Sequence, residues 1–102
     1  RDAGFTAVFC MSDIMAVGAM RALTDAGLRV PQDISVLGFD GIELGQYAVP
    51  RLATVSQPQQ EIADQSVALL LGQIEKAAPP QTRVVSTGLL EGESVASVTS
   101  DI

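Results

Sequence analysis

The sequence has 102 residues, a net charge of −6 and no histidine. A chain of this length fits one small domain. Its six basic residues are scattered singly, whereas a DNA-contacting domain concentrates Lys and Arg to neutralise phosphates. The composition therefore argues against a nucleic-acid surface in this segment, and it excludes imidazole-based catalysis and histidine metal sites within it.

Apolar residues account for 47% of the chain, and its mean hydropathy is +0.31. A small domain has much surface for its volume, so it needs polar residues to cover its core. We therefore expect some apolar residues to be covered by polypeptide outside this segment, from the same chain, a partner subunit or both. Cys10 is the one cysteine, which excludes an intrachain disulfide, and it is expected to be a buried, inert thiol. No run of residues reaches transmembrane length, and no signal-peptide pattern opens the sequence.

Strand and helix patterns alternate along the chain. Short apolar runs rich in β-branched and aromatic residues predict strands at 5–11, 34–37, 52–56 and 83–86. Longer apolar segments with capping residues predict helices at 14–26 and 59–77, with a short helical or irregular connection at 43–48. Strands joined by a helical crossover pair in parallel, so we expect an α/β fold with a parallel sheet. Residues 89–94 are expected to turn into a tail.

The helix predicted over residues 14–26 is apolar almost all round, and Arg21, Thr24 and Asp25 are its clearly polar residues. A helix packed on one side of a sheet needs a single apolar stripe. The excess predicts a second covered face, which we interpret as a subunit contact. Gly27 is well placed to end this helix in the left-handed conformation.

Polar residues directly follow three of the predicted strands: Ser12 and Asp13 follow the first, Asp40 the second and Gln57 the third. The carboxyl ends of parallel strands lie along one edge of a sheet, where open α/β sheets bind their ligands. A carboxylate there can accept two hydroxyl hydrogen bonds, each worth about 1.5–3 kcal/mol. We therefore predict a ligand site centred on Asp40, which the buried run 34–37 delivers to this edge.

Each of these residues also has a simpler alternative role. Ser12 and Asp13 are favoured helix N-caps, and capping explains them as well as ligand binding does. Asp40 belongs to an Asp-Gly pair, which is common in turns, although its position after a buried strand favours ligand binding. Gln57 is equally well explained as a polar strand end. Tyr47 fits a core position, a ligand wall or a subunit contact.

Nothing in the sequence supports catalysis. Ser12 has no histidine partner and no Gly-x-Ser-x-Gly elbow. The chain has no GxGxxG motif, no P-loop and no cluster of metal ligands. We therefore expect a binding protein without a cofactor or metal, not an enzyme.

Three segments together resemble the LacI/GalR family of bacterial transcription regulators: FCMSDIMAVGAM at 9–20, GLRVPQDISVLGFD at 27–40 and ATVSQP at 53–58. Their order and spacing match the family over nearly the whole chain, to about Ser94. The run VPQDISVLGFD is the most specific of them. The chain departs from the family at Ser12, where Asn is frequent, and at Gly41, where a second acid is frequent.

The resemblance implies a DNA-binding helix-turn-helix domain, absent from this chain, followed by a two-lobed effector domain of the periplasmic-binding-protein-like type I fold. The chain would be a partial fragment of that domain. Residues 1–57 would belong to the C-terminal lobe, residues 58–88 would form a crossover helix and strand of the N-terminal lobe, and residues 89–102 a return segment and tail. The expected location is the cytoplasm, without membrane association.

The resemblance also implies roles for individual residues. The effector would be bound by Asp40, Ser12, Asp13 and Gln57, and it would be a sugar or sugar phosphate, with a purine as an alternative. Ile14, Val17 and Tyr47 would lie in a homodimer interface. The regulator would bind operator DNA through the absent domain. The alternative is a periplasmic sugar-binding protein of a transport system, which shares the fold and a similar Gly-Phe-Asp-Gly corner.

Overall fold

The structure is a computed structural model that describes residues 4–98. The first residues of the predicted segment 1–57 and the last of the predicted segment 89–102 therefore lie outside the described residues. The described residues divide into two compact units, one reaching to Ser56 and resuming at Leu89, the other Gln57–Gly88. These bounds run close to the predicted ones, and the assignment of each unit to a lobe stays a prediction.

Strands and helices alternate in the order expected of an α/β fold. The elements within residues 4–98 are β1 (Ala7–Phe9), α1 (Asp13–Asp25), β2 (Ser35–Asp40), a 3₁₀ helix (Glu43–Tyr47), β3 (Ala53–Ser56), α2 (Gln59–Lys76) and β4 (Gly88–Leu90). The sheet order is β1-β2-β3-β4, and β1, β2 and β3 pair in parallel. The predicted parallel α/β fold is confirmed.

Helix α1 begins and ends one residue before the predicted bounds of 14–26, because local capping signals determine both ends. The Ser12 side chain accepts a hydrogen bond from the Met15 backbone N–H at 3.2 Å, which satisfies one of the amides left free in the first turn. At the other end Gly27 takes φ +84°, a left-handed conformation that carries little steric cost in glycine. The predicted N-cap and C-terminal glycine are both confirmed.

The hydrophobic core lies between α1 and one face of the sheet. Its buried residues come from α1, β2 and the segments that lead into β2 and β3: Ala16, Met20, Ile34, Val36 and Leu52. Strand pairing places Val8 beside Val36 on this same face. The alternation of side chains along β2 therefore directs its even-numbered residues towards α1.

The other face of the sheet lines an open groove of about 750 Å³, to which β1 and β2 contribute Phe9 and Leu37. The Phe9 side chain is 62% exposed and Leu37 is half-buried. The sequence predicts a buried strand at 34–37, and residues 4–98 cover only its α1 side fully. The apolar excess of the sequence thus resides largely on surfaces that these residues leave open.

The C-terminal part of the chain differs from the sequence-based expectation. The predicted strand at 83–86 is wrong: residues 81–87 have no regular structure, and β4 follows at Gly88–Leu90. The turn predicted at 89–94 is also wrong at Leu89 and Leu90, which belong to β4, and Ser94 is fully buried and bonds to both β2 and β3. A β-branched run becomes a strand only where a neighbouring strand offers hydrogen bonds, and the sequence does not display that neighbour.

The unit Gln57–Gly88 consists of α2 and the irregular segment after it. Ala77 ends α2 with φ +52°, and Pro58 stands at its N-cap position. Apolar side chains of α2 remain largely exposed within the described chain, for example Leu70 at 57% and Ile74 at 68%. The Arg83 guanidinium donates to Gln65 Oε1 at 2.9 Å and so fastens the irregular segment to the helix.

Candidate functional site

Asp40 ends β2 at the carboxyl edge of the sheet, as the sequence predicts. It is paired in register with Ser56, the last residue of β3, and its side chain is half-buried. Its backbone φ is +127°, in the region that favours glycine. A non-glycine residue held there costs about 1–3 kcal/mol and persists only where its surroundings enforce it. Strain of this kind is characteristic of functional corners.

The neighbouring Asp13 carboxylate is completely buried and lies beneath this corner. Its Oδ2 accepts hydrogen bonds from the backbone N–H groups of Gly41 at 2.9 Å and Ile42 at 2.7 Å. Its Oδ1 accepts from the Thr54 hydroxyl at 2.6 Å. Charge-assisted bonds of this length are the strong ones, and a buried carboxylate requires several of them to offset its lost hydration.

Two glycines make room for this arrangement. A Cβ on Gly38 would collide with Asp13 Oδ1 and would lie 2.9 Å from Leu52 Cδ2. Gly41 has φ +80°, and a Cβ there would lie 2.8 Å from the Ser56 Cβ. A larger side chain at position 41 would therefore meet the end of β3 in this backbone conformation.

The structure separates the other predicted effector residues by environment. Ser12 is half-buried and caps α1, so the capping alternative is confirmed for its side chain. Asp13 is not a cap but the first residue of α1, and its complete burial disfavours the predicted direct effector contact. Gln57 is half-buried and follows β3 directly, as expected. Effector binding by Asp40, Ser12, Asp13 and Gln57 stays a prediction.

The predicted dimer residues lie on α1 and the 3₁₀ helix, which pack against each other. Ile14 is 69% exposed and Tyr47 is 72% exposed, with the Tyr47 hydroxyl donating to Glu43 Oε1 at 3.2 Å. Val17 is half-buried and packs against the core, so it is shared between the interior and the surface. Further exposed apolar side chains on these two elements and beside them are Met11, Met15, Leu44 and Val49.

Sequence reasoning missed Thr54 and Gly38 as parts of the site. Both lie in segments that resemble the family, but each acts through a partner distant in sequence: Thr54 is 41 residues from Asp13. The one available signal was a hydroxyl at an inward-facing position of a buried strand, since such a group requires a hydrogen-bond partner. Strand pairing then places Gly38 beside Thr54.

Other chemistry is sparse in the described part of the chain. Among residues 4–98, no three His, Cys, Asp or Glu side chains converge in a way that could hold a metal ion. No helix in the same range is long and apolar enough to cross a bilayer. Burial raises the pKa of the Cys10 thiol, which favours the unreactive protonated form at neutral pH.

The described residues form a parallel α/β unit with Asp40 at the carboxyl edge of its sheet, the edge at which open α/β sheets bind ligands. Residues 2–95 match the model of the periplasmic binding protein-like domain family, and the chain belongs to this family. The predicted resemblance to LacI/GalR regulators is confirmed as well.

Individual relatives make the comparison specific. A curated relative named HTH-type transcriptional repressor PurR, from Yersinia enterocolitica, is 48% identical over 92 residues, which are 89% of this chain and 27% of the relative. A solved LacI family transcriptional regulator from Enterococcus faecalis with bound ribose has a TM-score of 0.88 and 29% identity over 96% of this chain and 37% of its own. The Lac repressor dimer bound to operator and the anti-inducer ONPF has a TM-score of 0.82 and 35% identity over 90% of this chain and 32% of its own. The chain therefore spans about a quarter of the length of the curated relatives it matches.

Proposed function

We propose that this chain is the effector-binding and dimerisation portion of a cytoplasmic LacI/GalR-type transcriptional repressor and performs no catalysis. The observation that supports this proposal most directly is the position of Asp40, an acid held with φ +127° at the carboxyl end of a parallel strand. The ligand would be a small polyhydroxyl molecule, a sugar or sugar phosphate, with a purine as the alternative. The operator would be bound by a separate helix-turn-helix domain, because this segment has a net charge of −6.

The chemistry of the corner suits such a ligand. A carboxylate accepts two hydroxyl or ring N–H hydrogen bonds, and the half-buried position of Asp40 limits competition from water. Gln57, which both donates and accepts, remains the second polar group proposed for the ligand. Ser12 already accepts from the Met15 amide, so its contribution would be the weaker one.

The comparisons favour a regulator over a periplasmic carrier. The curated relative named above is a repressor, and one structural neighbour is a dimer bound to operator. The exposed apolar side chains of Ile14, Met15 and Tyr47 agree with this preference, since a monomeric carrier gains nothing from displaying them. An effector changes operator affinity only if it binds two conformations of the protein with different affinities.

Replacing the acid tests the proposal. The full-length protein should be screened by thermal melting against a panel of pentoses, hexoses, their phosphates and purine bases. We expect one of these compounds to raise the melting temperature. At one hundred times its Kd it would increase the free energy of unfolding by about 2.7 kcal/mol. Asp40→Ala should abolish this shift and the effector response while leaving DNA binding intact. Asp25→Ala, which removes an exposed carboxylate at the end of α1, serves as the control. A shift of normal size in Asp40→Ala would contradict the assignment.

The dimer face is proposed on α1 and the 3₁₀ helix, through Ile14, Val17 and Tyr47. Ile14→Glu places a charge on an apolar surface, so it should convert the full-length dimer largely to monomer in sedimentation velocity. Gln32→Glu adds the same charge on the exposed turn before β2 and should leave the dimer unchanged. Equal dimer stability in the two variants would show that α1 does not lie in the dimer interface.

A further inference from the structure

The backbone conformation of the Asp40–Gly41 corner requires stabilisation by other parts of the protein. Both residues have positive φ, +127° and +80°, and they stand where β2 leaves the sheet. Gly41 adopts its angle at little steric cost, but Asp40 does not. Some interaction must therefore stabilise the pair, and the direction of the Asp40 side chain depends on it.

The Asp13 carboxylate supplies that interaction. The two consecutive amides after Asp40, those of Gly41 and Ile42, both donate to Asp13 Oδ2 at 2.9 and 2.7 Å. Two adjacent N–H groups can converge on one oxygen only when the peptide planes between them turn inward, as in an anion-binding nest of the backbone. The carboxylate thus restricts the torsions on the C-terminal side of Asp40.

Asp13 is itself fixed from two further directions. The Thr54 hydroxyl on β3 holds its other oxygen at 2.6 Å, and the missing side chain of Gly38 leaves the space that this oxygen occupies. Asp13 is also the first residue of α1, whose N-cap is Ser12. At 0% exposure its hydrogen bonds are not exchanged for water, so the corner is held by α1 and β3 together.

We infer that Asp13 is a positioning residue of the effector site, which sets the affinity of Asp40 for a polyhydroxyl or purine ligand without touching that ligand. The inference rests on the proposed function of Asp40. It replaces the direct contact predicted for Asp13 by an indirect role through the Gly41 and Ile42 amides. Removing the acceptor should release the corner and let Asp40 leave its strained conformation.

Hydrogen exchange in the full-length protein, read by mass spectrometry, tests the inference without any ligand. In Asp13→Ala, the peptide 38–44 should exchange at least tenfold faster than in the wild type. Asp13→Asn keeps an oxygen acceptor for the two amides, so its exchange should lie between the other two. Asp33→Asn is the matched control, because Asp33 also accepts from a main-chain amide, that of Arg29, but at the turn before β2. Peptides from α1 and α2 with wild-type protection show that each variant is folded.

Effector affinity is the second readout, measured with the compound that the panel identifies. Asp13→Asn should weaken binding about tenfold relative to the wild type, whereas the control Asp33→Asn should leave it unchanged. Unchanged exchange of 38–44 in both Asp13 variants, or faster exchange with wild-type affinity, would overturn the inference. Wild-type affinity in Asp40→Ala alone would instead reject the proposed function, and the exchange data would still decide whether Asp13 holds the corner.

Discussion

A buried side-chain oxygen joins separate elements at each end of the parallel sheet. At the carboxyl end, Asp13 accepts from two amides beyond β2 and from Thr54 on β3. At the amino end, the Ser94 hydroxyl donates to the Val36 carbonyl at 2.6 Å and accepts from the Ala53 amide at 2.9 Å. Both side chains are completely buried, and both satisfy main-chain groups that no regular ladder satisfies.

The difference between the two ends lies in what they hold. Ser94 is a neutral group, and its backbone carbonyl accepts from the Val36 amide at 2.9 Å, so it extends the hydrogen bonding beside β2. Asp13 carries a charge and holds a corner in which Asp40 has φ +127°. A hydroxyl suffices to join relaxed chains, whereas a strained corner needs the stronger charge-assisted bonds. We therefore expect changes at the amino end to alter stability alone, and changes at the carboxyl end to alter effector binding too.

The largest effect is expected from Gly92→Ala at the amino end. The new Cβ would lie 2.5 Å from the Arg51 carbonyl oxygen and 2.6 Å from the Leu52 carbonyl carbon, and main-chain atoms cannot move aside as a flexible side chain can. We expect a loss of about 3 kcal/mol in the free energy of unfolding, measured by urea denaturation of the full-length protein. Gly18→Ala on α1 meets no atom within 4 Å and is the matched control, which should be neutral or stabilising. Equal stability of the two variants would show that residues 92–94 do not bind the sheet as described.

Ser94→Ala should cost less, about 2 kcal/mol, because the Val36 carbonyl and the Ala53 amide would each lose a buried partner. Its effector affinity should equal that of the wild type, which is the point that separates the two ends of the sheet. Urea denaturation and ligand titration of the same sample provide both measurements. Ser97→Ala, at an exposed position, is the control. A marked loss of effector affinity in Ser94→Ala would contradict the claim that changes at the amino end of the sheet alter stability alone.

Thr54→Val should have the smallest effect on stability, about 1.5 kcal/mol. The substitution removes one of three hydrogen bonds to Asp13 and leaves the buried Asp13 Oδ1 without this donor, whereas the two backbone amides remain bonded to Oδ2. Because Asp13 would lose its anchor on β3, we also expect weaker effector binding, by a smaller factor than in Asp13→Asn. Thr24→Val is the control for both measurements, because it makes the same exchange of β-branched residues at an exposed position of α1. Unaltered effector affinity in Thr54→Val would show that Thr54 contributes to stability and not to effector binding.

Much of the fold was predictable because its signals are local. Ser12 and Gly27 mark the ends of α1, and Pro58 marks the start of α2 within a residue, through capping and backbone preferences that act over one turn. The apolar run before Asp40 predicted both a buried strand and the edge of the sheet at which it ends. The strand expected at 83–86 failed for the opposite reason, since strand formation depends on a partner distant in the sequence.

The candidate site shows the same division. Asp40 was predictable from its position after a buried strand, and the excess of apolar residues on α1 predicted the exposed Ile14 and Met15. The environment of Asp13 was not predictable, because an acid at the start of a helix is fully explained by the helix itself. Its burial follows from contacts with residues 28, 29 and 41 positions away.

The sequence by itself determined the alternation of strands and helices, the ends of α1, the family and the candidate acid, because each depends on neighbouring residues or on a continuous motif. Only the tertiary structure decided that Ser94 is buried against β2 and β3 and that Asp13 acts beneath Asp40 as an acceptor for backbone amides. Hydrogen bonds between distant segments leave no periodic or local signature. They form where strand pairing brings the segments together, and the Asp40 corner depends on them.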